Sequence, residues 1–167
     1  MGKRTILSAE NMTLSTGNVL AAIRPAAADA AASILKVTRV EISQSGSTTL
    51  AMIRGAIGSR DTAGTLTMTS TAPNPATPGA PASGITGSTA PAGTAARSGT
   101  NSSADSGGTY VNIIPFNFAN LNGYLWKPDP EEEMRVTPGQ VFVVRFLAAP
   151  GTLTGWTVAI WLEEGPD

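Results

Sequence analysis

Histidine and cysteine are absent from this 167-residue sequence. Without cysteine the chain has no disulfide, no thiolate nucleophile and no cysteine-ligated zinc site. Without histidine it also lacks the commonest general base and the commonest transition-metal ligand. We therefore predict a protein that is not an enzyme and that has no catalytic residues, no metal site and no cofactor.

Charge is scarce as well. Charged residues make up 14% of the sequence, against about 25% in an ordinary soluble protein. The 11 basic and 12 acidic residues give a net charge of −1 and form no basic stripe, so we expect no nucleic-acid partner. No apolar run approaches the roughly 18 residues of a membrane span, and none follows the basic start "MGKRTIL" as in a secretory signal, so we expect no membrane partner. A surface this poor in charge predicts contact with other proteins.

Apolar and polar residues alternate as in half-buried β-strands. In "GWTVAIWLEE", Trp156 to Leu162 place every second residue on one face and leave Trp161 on the other. The segment 141–147 is apolar on both faces, which predicts that it is covered twice. Further strand candidates are 18–23, 36–44, 49–57, 66–70, 109–114, 121–126 and 133–137. Short strands at this spacing predict an all-β fold, an antiparallel, jelly-roll-like β-sandwich.

The domain organisation follows from composition. We predict an N-terminal arm over residues 1–17 and a single sandwich domain over 18–167, with 73–108 as a long irregular excursion rich in Pro, Gly, Ala and Thr. Such a segment cannot bury enough surface to offset the entropy of ordering it. Two alternatives remain open: the excursion lies along another protein, or it folds back over its own sandwich and covers the outer face of 141–147.

Two groups of side chains suggest chemistry and also have simpler interpretations. The acidic run "DPEEE" at 129–133 could bind calcium but lacks the spacing of a calcium loop, so we favour a solvated turn. Aromatic rings can stack on sugars, yet packing in the core or at an interface is the default interpretation; the five in question are Trp126, Trp156, Trp161, Tyr110 and Tyr124.

The predicted interface residues come from several segments. The arm supplies two positive charges and an apolar side chain. The excursion supplies its one sizeable apolar residue and its one basic residue. The others come from a strand that we expect to end at a protein contact and from the doubly apolar strand. They are Lys3, Arg4, Ile6, Ile85, Arg97, Tyr124, Trp126 and Val143. Because strand 141–147 is apolar on both faces and charge is scarce, we expect a homotrimer that contains Val143 in its contact surface.

Four pieces of the sequence, "RVEISQSGSTT", "PASGITGSTAPAGTA", "FNFANLNGYLWKPDPEE" and "PGTLTGWTVAIWLEE", together resemble a family of small phage and prophage structural proteins. The resemblance runs from about Val37 to the C-terminus. It implies a virion component of a tailed phage, most like a capsid decoration (cement) protein, a class often built as small β-sandwiches clustered in trimers on the shell.

The implied partner is the lattice of the major capsid protein. The implied location is the capsid surface of the virion, and the host cytoplasm during assembly. The family has no assigned site, so no residue role is carried over from it. The alternative function is a β-sandwich on the phage head or tail that binds glycans or the host surface.

Overall fold

The computed structural model of the chain describes residues 3–15, 18–27, 34–91 and 96–165. Within these residues every regular element is a β-strand. The strands are β1 (Lys3–Met12), β2 (Val19–Arg24), β3 (Leu35–Gln44), β4 (Met52–Arg60), β5 (Thr65–Ser70), β6 (Asn74–Pro75), β7 (Thr86–Gly87), β8 (Arg97–Ser106), β9 (Tyr110–Ala119), β10 (Tyr124–Trp126), β11 (Met134–Val136), β12 (Val141–Phe146) and β13 (Trp156–Glu164).

The strands form two sheets that pack against each other, which confirms the predicted β-sandwich. The first sheet has the order β10-β3-β13-β1-β6, and β11 pairs with the other end of β3. The second sheet has the order β5-β8-β2-β12-β4-β9. The described pairings are antiparallel except for the short β7, which runs parallel to β8.

The main core lies between the two sheets. Along β13, buried and half-buried residues alternate, and Trp156 is one of the buried set. Its indole ring meets the ring of Phe146 on β12 edge to face, with centroids 4.8 Å apart. Each large apolar side chain buried in this way stabilises the fold by about 1.5–3 kcal/mol. The alternation recognised in the sequence is therefore what joins the sheets.

The predicted N-terminal arm is wrong within the described residues. β1 pairs with β13 along most of its length, from Lys3 opposite Glu164 to Met12 opposite Trp156. Leu7 is fully buried in the main core, and Thr5 is buried beside it. The segment was misjudged because only a few of its residues are apolar, and of these Leu7 and Met12 are buried whereas Ile6 lies on the outer face. Residues 1, 2, 16 and 17 of the predicted arm lie outside the described residues.

The predicted excursion is not irregular throughout, and its own sandwich holds it. Its last part forms β8, which pairs with both β2 and β5. Its first part supplies β6, which pairs with β1. Between them, Ile85 is only 3% exposed and belongs to the main core. Of the two alternatives, the structure supports folding back onto the same domain, although the side chains that cover the outer face of 141–147 include Leu66 and Met68, which precede the excursion. Residues 92–95 lie outside the described part.

A buried carboxylate fixes the middle of the excursion. Glu164, at the end of β13, is 2% exposed. Its Oε1 accepts hydrogen bonds from the hydroxyls of Thr5 (2.8 Å) and Ser83 (2.6 Å). Its Oε2 accepts a third bond from the backbone N–H of Gly84, at 2.7 Å. Ile85 is thereby placed directly beside the anchored residues, where its side chain enters the core.

The second sheet curls over its own outer face. Asp105 of β8 accepts a hydrogen bond from Nη2 of Arg60 on β4, at 2.8 Å, although β2 and β12 lie between these strands in the sheet order. Neighbouring strands are about 4.8 Å apart, so a flat sheet would keep these groups well out of contact. The far ends of β5 and β8 must therefore bend back across β2 and β12.

This curl covers the outer face of β12 and overturns one prediction. A second, smaller core forms there from Val19, Ala22, Leu66, Met68, Val141 and Val143. Val143 is 1% exposed, so it packs under its own chain and is not available to a neighbouring subunit. The prediction that β12 is covered twice was right, but the prediction that a trimer contact covers it was wrong.

Replacing Ile85 with Ala should lower the free energy of unfolding by about 2–5 kcal/mol, because it leaves a cavity in the main core. The matched control is Ile113→Ala on β9, where the side chain is 51% exposed. Urea denaturation measures both. Equal, small effects of the two substitutions would show that the excursion does not pack into the core.

A carboxylate at Val143 should prevent stable folding, because the small core offers it no polar partner. Val111→Asp introduces the same group at a position that is 56% exposed, and that variant should unfold near the wild-type temperature. Thermal unfolding followed by circular dichroism compares them. If the Val143→Asp protein folds but its oligomeric state changes, Val143 does belong to a contact between subunits.

Candidate functional site

A cleft with a volume of about 500 Å³ lies on the outer face of the first sheet. Its floor comes from β3, β13 and β1, and one wall comes from the loop 127–133. The lining residues are Arg4, Thr5, Thr38, Arg39, Ala76, Lys127, Pro128, Asp129, Pro130, Glu133, Trp161, Leu162 and Glu163. We call it the Trp161 cleft.

The wall loop exists because two short strands share one partner. β10 pairs with β3 as far as Val40, and β11 resumes the pairing at Val37. The chain between them leaves the sheet edge as the loop 127–133. Pro128 and Pro130 fix their own φ angles, and the N–H of Glu132 donates a hydrogen bond of 2.9 Å to the carbonyl of Asp129. The wall is therefore restrained locally.

Trp161 occupies an outward position of β13, opposite Arg39 on β3 and Ile6 on β1. The guanidinium carbon of Arg39 lies 4.4 Å from the centroid of the indole ring, a cation–π arrangement. Arg39 is held in turn by an ion pair with Glu41. The indole is thus fixed from one side and contributes the rest of its accessible surface to the cleft.

The charges of the Trp161 cleft balance. Three basic side chains line it, and three acidic ones face them; they are Arg4, Arg39 and Lys127, and Asp129, Glu133 and Glu163. Arg4 and Glu163 are directly opposed on β1 and β13, a favourable cross-strand pair. No group of three or more acidic side chains among the described residues could hold a metal ion. The cleft therefore offers many hydrogen-bonding groups but no net charge.

A second cleft, of about 380 Å³, lies where β8 curls over the sheet. The ring of Tyr110 has the guanidinium carbon of Arg145 4.0 Å from its centroid, and that of Arg60 at 5.8 Å. The Tyr110 hydroxyl donates a hydrogen bond to Asp105, which also accepts from Arg60. Arg145 donates to the side-chain oxygen of Asn112, at 2.9 Å. These groups form hydrogen bonds and ring contacts with one another. They therefore hold β8 against the rest of the sheet and are not arranged around a ligand.

The predicted interface residues on β1 stay near the surface but face different surroundings. Lys3 and Arg4 are exposed and lie opposite Glu164 and Glu163. Ile6 is half-buried on the outer face beside Trp161. Of these three, Arg4 alone lines the Trp161 cleft. The arm that was expected to reach a neighbour is thus one strand of the domain.

The two predicted aromatic contacts serve the domain itself. Tyr124 stacks on Phe116, with ring centroids 4.1 Å apart. Trp126 is half-buried and packs against the main core. Ile85 and Val143, as described above, are buried. None of these side chains lines the Trp161 cleft.

Arg97 opens β8 and is half-buried there. It lies directly opposite Arg24 of β2, an unfavourable juxtaposition of like charges. Burial lowers the pKa of Arg24, and its Nε and Nη1 atoms are buried without a hydrogen-bond partner in the described structure. Arg97 therefore sits within a paired strand of the domain. The eight predicted residues therefore do not form one surface.

Sequence reasoning placed Trp161 on the outward face of its strand but missed the cleft around it. Arg39 is the decisive omission, because its position over the indole depends on the register between β3 and β13. The acidic loop was noticed, and Asp129, Glu131 and Glu132 are exposed there, in keeping with a solvated turn. Nothing in the sequence indicated that this loop stands beside Trp161.

No family model matches the sequence, and no curated protein or solved structure matches it either. Over the described residues, no helix is long and apolar enough to cross a membrane.

Both tyrosines should ionise at a higher pH than an exposed tyrosine. Burial, and then the hydrogen bond and charge of Asp105, raise the pKa of Tyr110; burial raises the pKa of Tyr124. The folded state thus retains protons that the unfolded state releases above pH about 10. Stability should be fully present below that pH and decline above it, as urea denaturation at several alkaline pH values measures.

Tyr110→Phe supplies the control, since it removes the hydroxyl that Asp105 binds. The alkaline loss of stability should become smaller in this variant. Tyrosinate absorbance that appears at pH about 10 in the folded protein, as for an exposed tyrosine, would contradict the prediction.

Proposed function

We propose that the chain is a non-enzymatic virion protein of a tailed bacteriophage that binds the assembled capsid lattice and reinforces it. The family resemblance of the sequence suggests this class. The single structural observation that supports it is the free edge of β9. This strand carries exposed apolar side chains and pairs with β4 alone among the described strands.

The β9 edge has the properties of an attachment surface. Val111 is 56% exposed and Ile113 is 51% exposed. An edge strand also presents unpaired N–H and C=O groups, to which an extended segment of another protein can add as a further strand. A bulge near Ile114 and the proline at 115 interrupt the edge, which limits uncontrolled pairing along its whole length.

Exposed apolar side chains are concentrated on this part of the domain. Eight large ones are at least 38% exposed among the described residues, and five of them belong to β4, β9 or the adjoining turns: Leu50, Met52 and Leu121 at one end of the β4–β9 pair, and Val111 and Ile113 towards the other. Exposed apolar surface of this kind is typical of a site that another protein covers. We therefore assign lattice contact to the region of β4 and β9.

Binding of this kind stabilises a capsid by mass action, since the protein has affinity for the assembled lattice and not for free capsid subunits. A homotrimer would gain further through avidity, as each trimer touches several lattice sites at once. The trimer remains part of the proposal, but its contact does not include Val143. The proposed location is the outer capsid surface, reached from the host cytoplasm during assembly.

A double substitution, Val111→Asp with Ile113→Asp, should weaken attachment to capsids at least about tenfold, or 1.4 kcal/mol, because it introduces charge into the contact. Leu125→Asp is the matched control, since Leu125 is 56% exposed on β10 of the other sheet. Co-sedimentation with capsids that lack the protein measures binding. Capsids carrying the wild-type or control protein should release their DNA at a higher temperature than bare capsids.

Two results would contradict the proposal. One is wild-type protein that fails to sediment with the capsids. The other is attachment that leaves the temperature of DNA release unchanged, which would remove the reinforcing role. Equal binding by the double variant and the control would move the contact away from β9.

A further inference from the structure

Trp161 differs from the other candidate aromatic residues. Trp156 is buried against Phe146, and Tyr124 is stacked on Phe116. Tyr110 belongs to the arginine network of the second cleft, and Trp126 packs on the core. Of these five, Trp161 alone lines the large cleft of the first sheet. Trp161 is therefore the aromatic residue of this set that a ligand in that cleft can contact.

The balance of charges indicates which ligand suits the cleft. A strongly anionic ligand would meet Asp129, Glu133 and Glu163, and a cationic ligand would meet an equal number of basic groups. A neutral ligand with many hydroxyl groups can donate to the carboxylates and accept from the guanidinium and ammonium groups at once. Hydrogen bonds to charged groups are the stronger kind.

The apolar part of the cleft is complementary to the same ligand. The indole ring offers a flat apolar surface, and the rings of Pro128 and Pro130 offer rigid apolar ones; the C–H face of a sugar can pack against the indole. Because the prolines restrain the loop and Arg39 restrains the indole, little side-chain freedom is lost on binding. The volume of about 500 Å³ lies within the range of small-molecule sites.

We infer that the Trp161 cleft is a binding site for a short neutral saccharide. Trp161 provides the packing surface, and the basic and acidic side chains of the rim bind the hydroxyl groups. The site lies on the outer face of the first sheet, whereas the proposed lattice contact lies on β4 and β9 of the second. The inference thus goes beyond lattice binding, and each can fail without the other.

The test starts from the purified full-length protein and an array of neutral, acidic and amino oligosaccharides. Neutral saccharides should bind in preference to both charged classes. Isothermal titration with the neutral saccharide that binds best should then give saturable binding. Trp161→Ala should weaken this binding at least tenfold, and Trp161→Phe should retain part of it.

A substitution on the loop tests the site even if the Trp161 variants fail to fold. Asp129 is exposed, so Asp129→Ala should fold normally and still weaken saccharide binding several-fold. Leu125→Ala is the control on the same sheet and should bind like the wild type. Capsid co-sedimentation by Asp129→Ala should be unchanged.

Failure of every neutral saccharide on the array would overturn the inference. So would wild-type affinity in both Trp161→Ala and Asp129→Ala, which would place the sugar elsewhere. Loss of capsid attachment by Asp129→Ala, without any saccharide binding by the wild type, would show that the cleft receives a segment of a protein and would equally overturn it.

Discussion

The carboxylate of Glu164 holds together three parts of the chain that are distant in sequence. It lies at the end of β13 and accepts hydrogen bonds from β1 and from two consecutive residues of the excursion. A buried carboxylate is costly unless its oxygens are satisfied, and here three donors satisfy it. Since Ile85 follows the anchored residues and enters the main core, these bonds determine where the excursion crosses the sandwich.

This anchoring explains how a segment of small residues, glycines and prolines becomes ordered. The segment contributes one large apolar side chain and has few side chains that could pack on one another. Its order comes from groups outside it: β1 pairs with β6, Glu164 binds Ser83 and Gly84, and β2 and β5 pair with β8. A linker-like composition is therefore compatible with a fixed position when the surrounding domain supplies the partners.

The sequence predicted those strands whose buried positions are apolar, such as β12 and β13. It failed for β8, because the buried positions of that strand are Ser98, Gly99, Thr100 and Ser102. The hydroxyls are satisfied locally: Ser98 donates to the carbonyl of Thr71 at 2.6 Å, and Ser102 accepts from the N–H of Val19 at 3.0 Å. Because the buried side chains of β8 are polar and hydrogen-bonded, its sequence shows no alternation of apolar and polar residues from which a strand could be predicted. The Trp161 cleft escaped prediction for a different reason, since it depends on strand register and on a loop that closes over another part of the sheet.

The pairing of β1 with β13 has a consequence for how the chain folds during synthesis. Both β1 and β3 use β13 as their neighbour in the first sheet, and the bond between Thr5 and Glu164 joins residues 159 positions apart. Until the residues of β13 leave the ribosome, these two strands have no partner on the sides that face it. Contacts of such long range slow folding and leave strand edges open to other chains. The nascent protein is therefore open to aggregation along β1 and β3 until β13 has emerged.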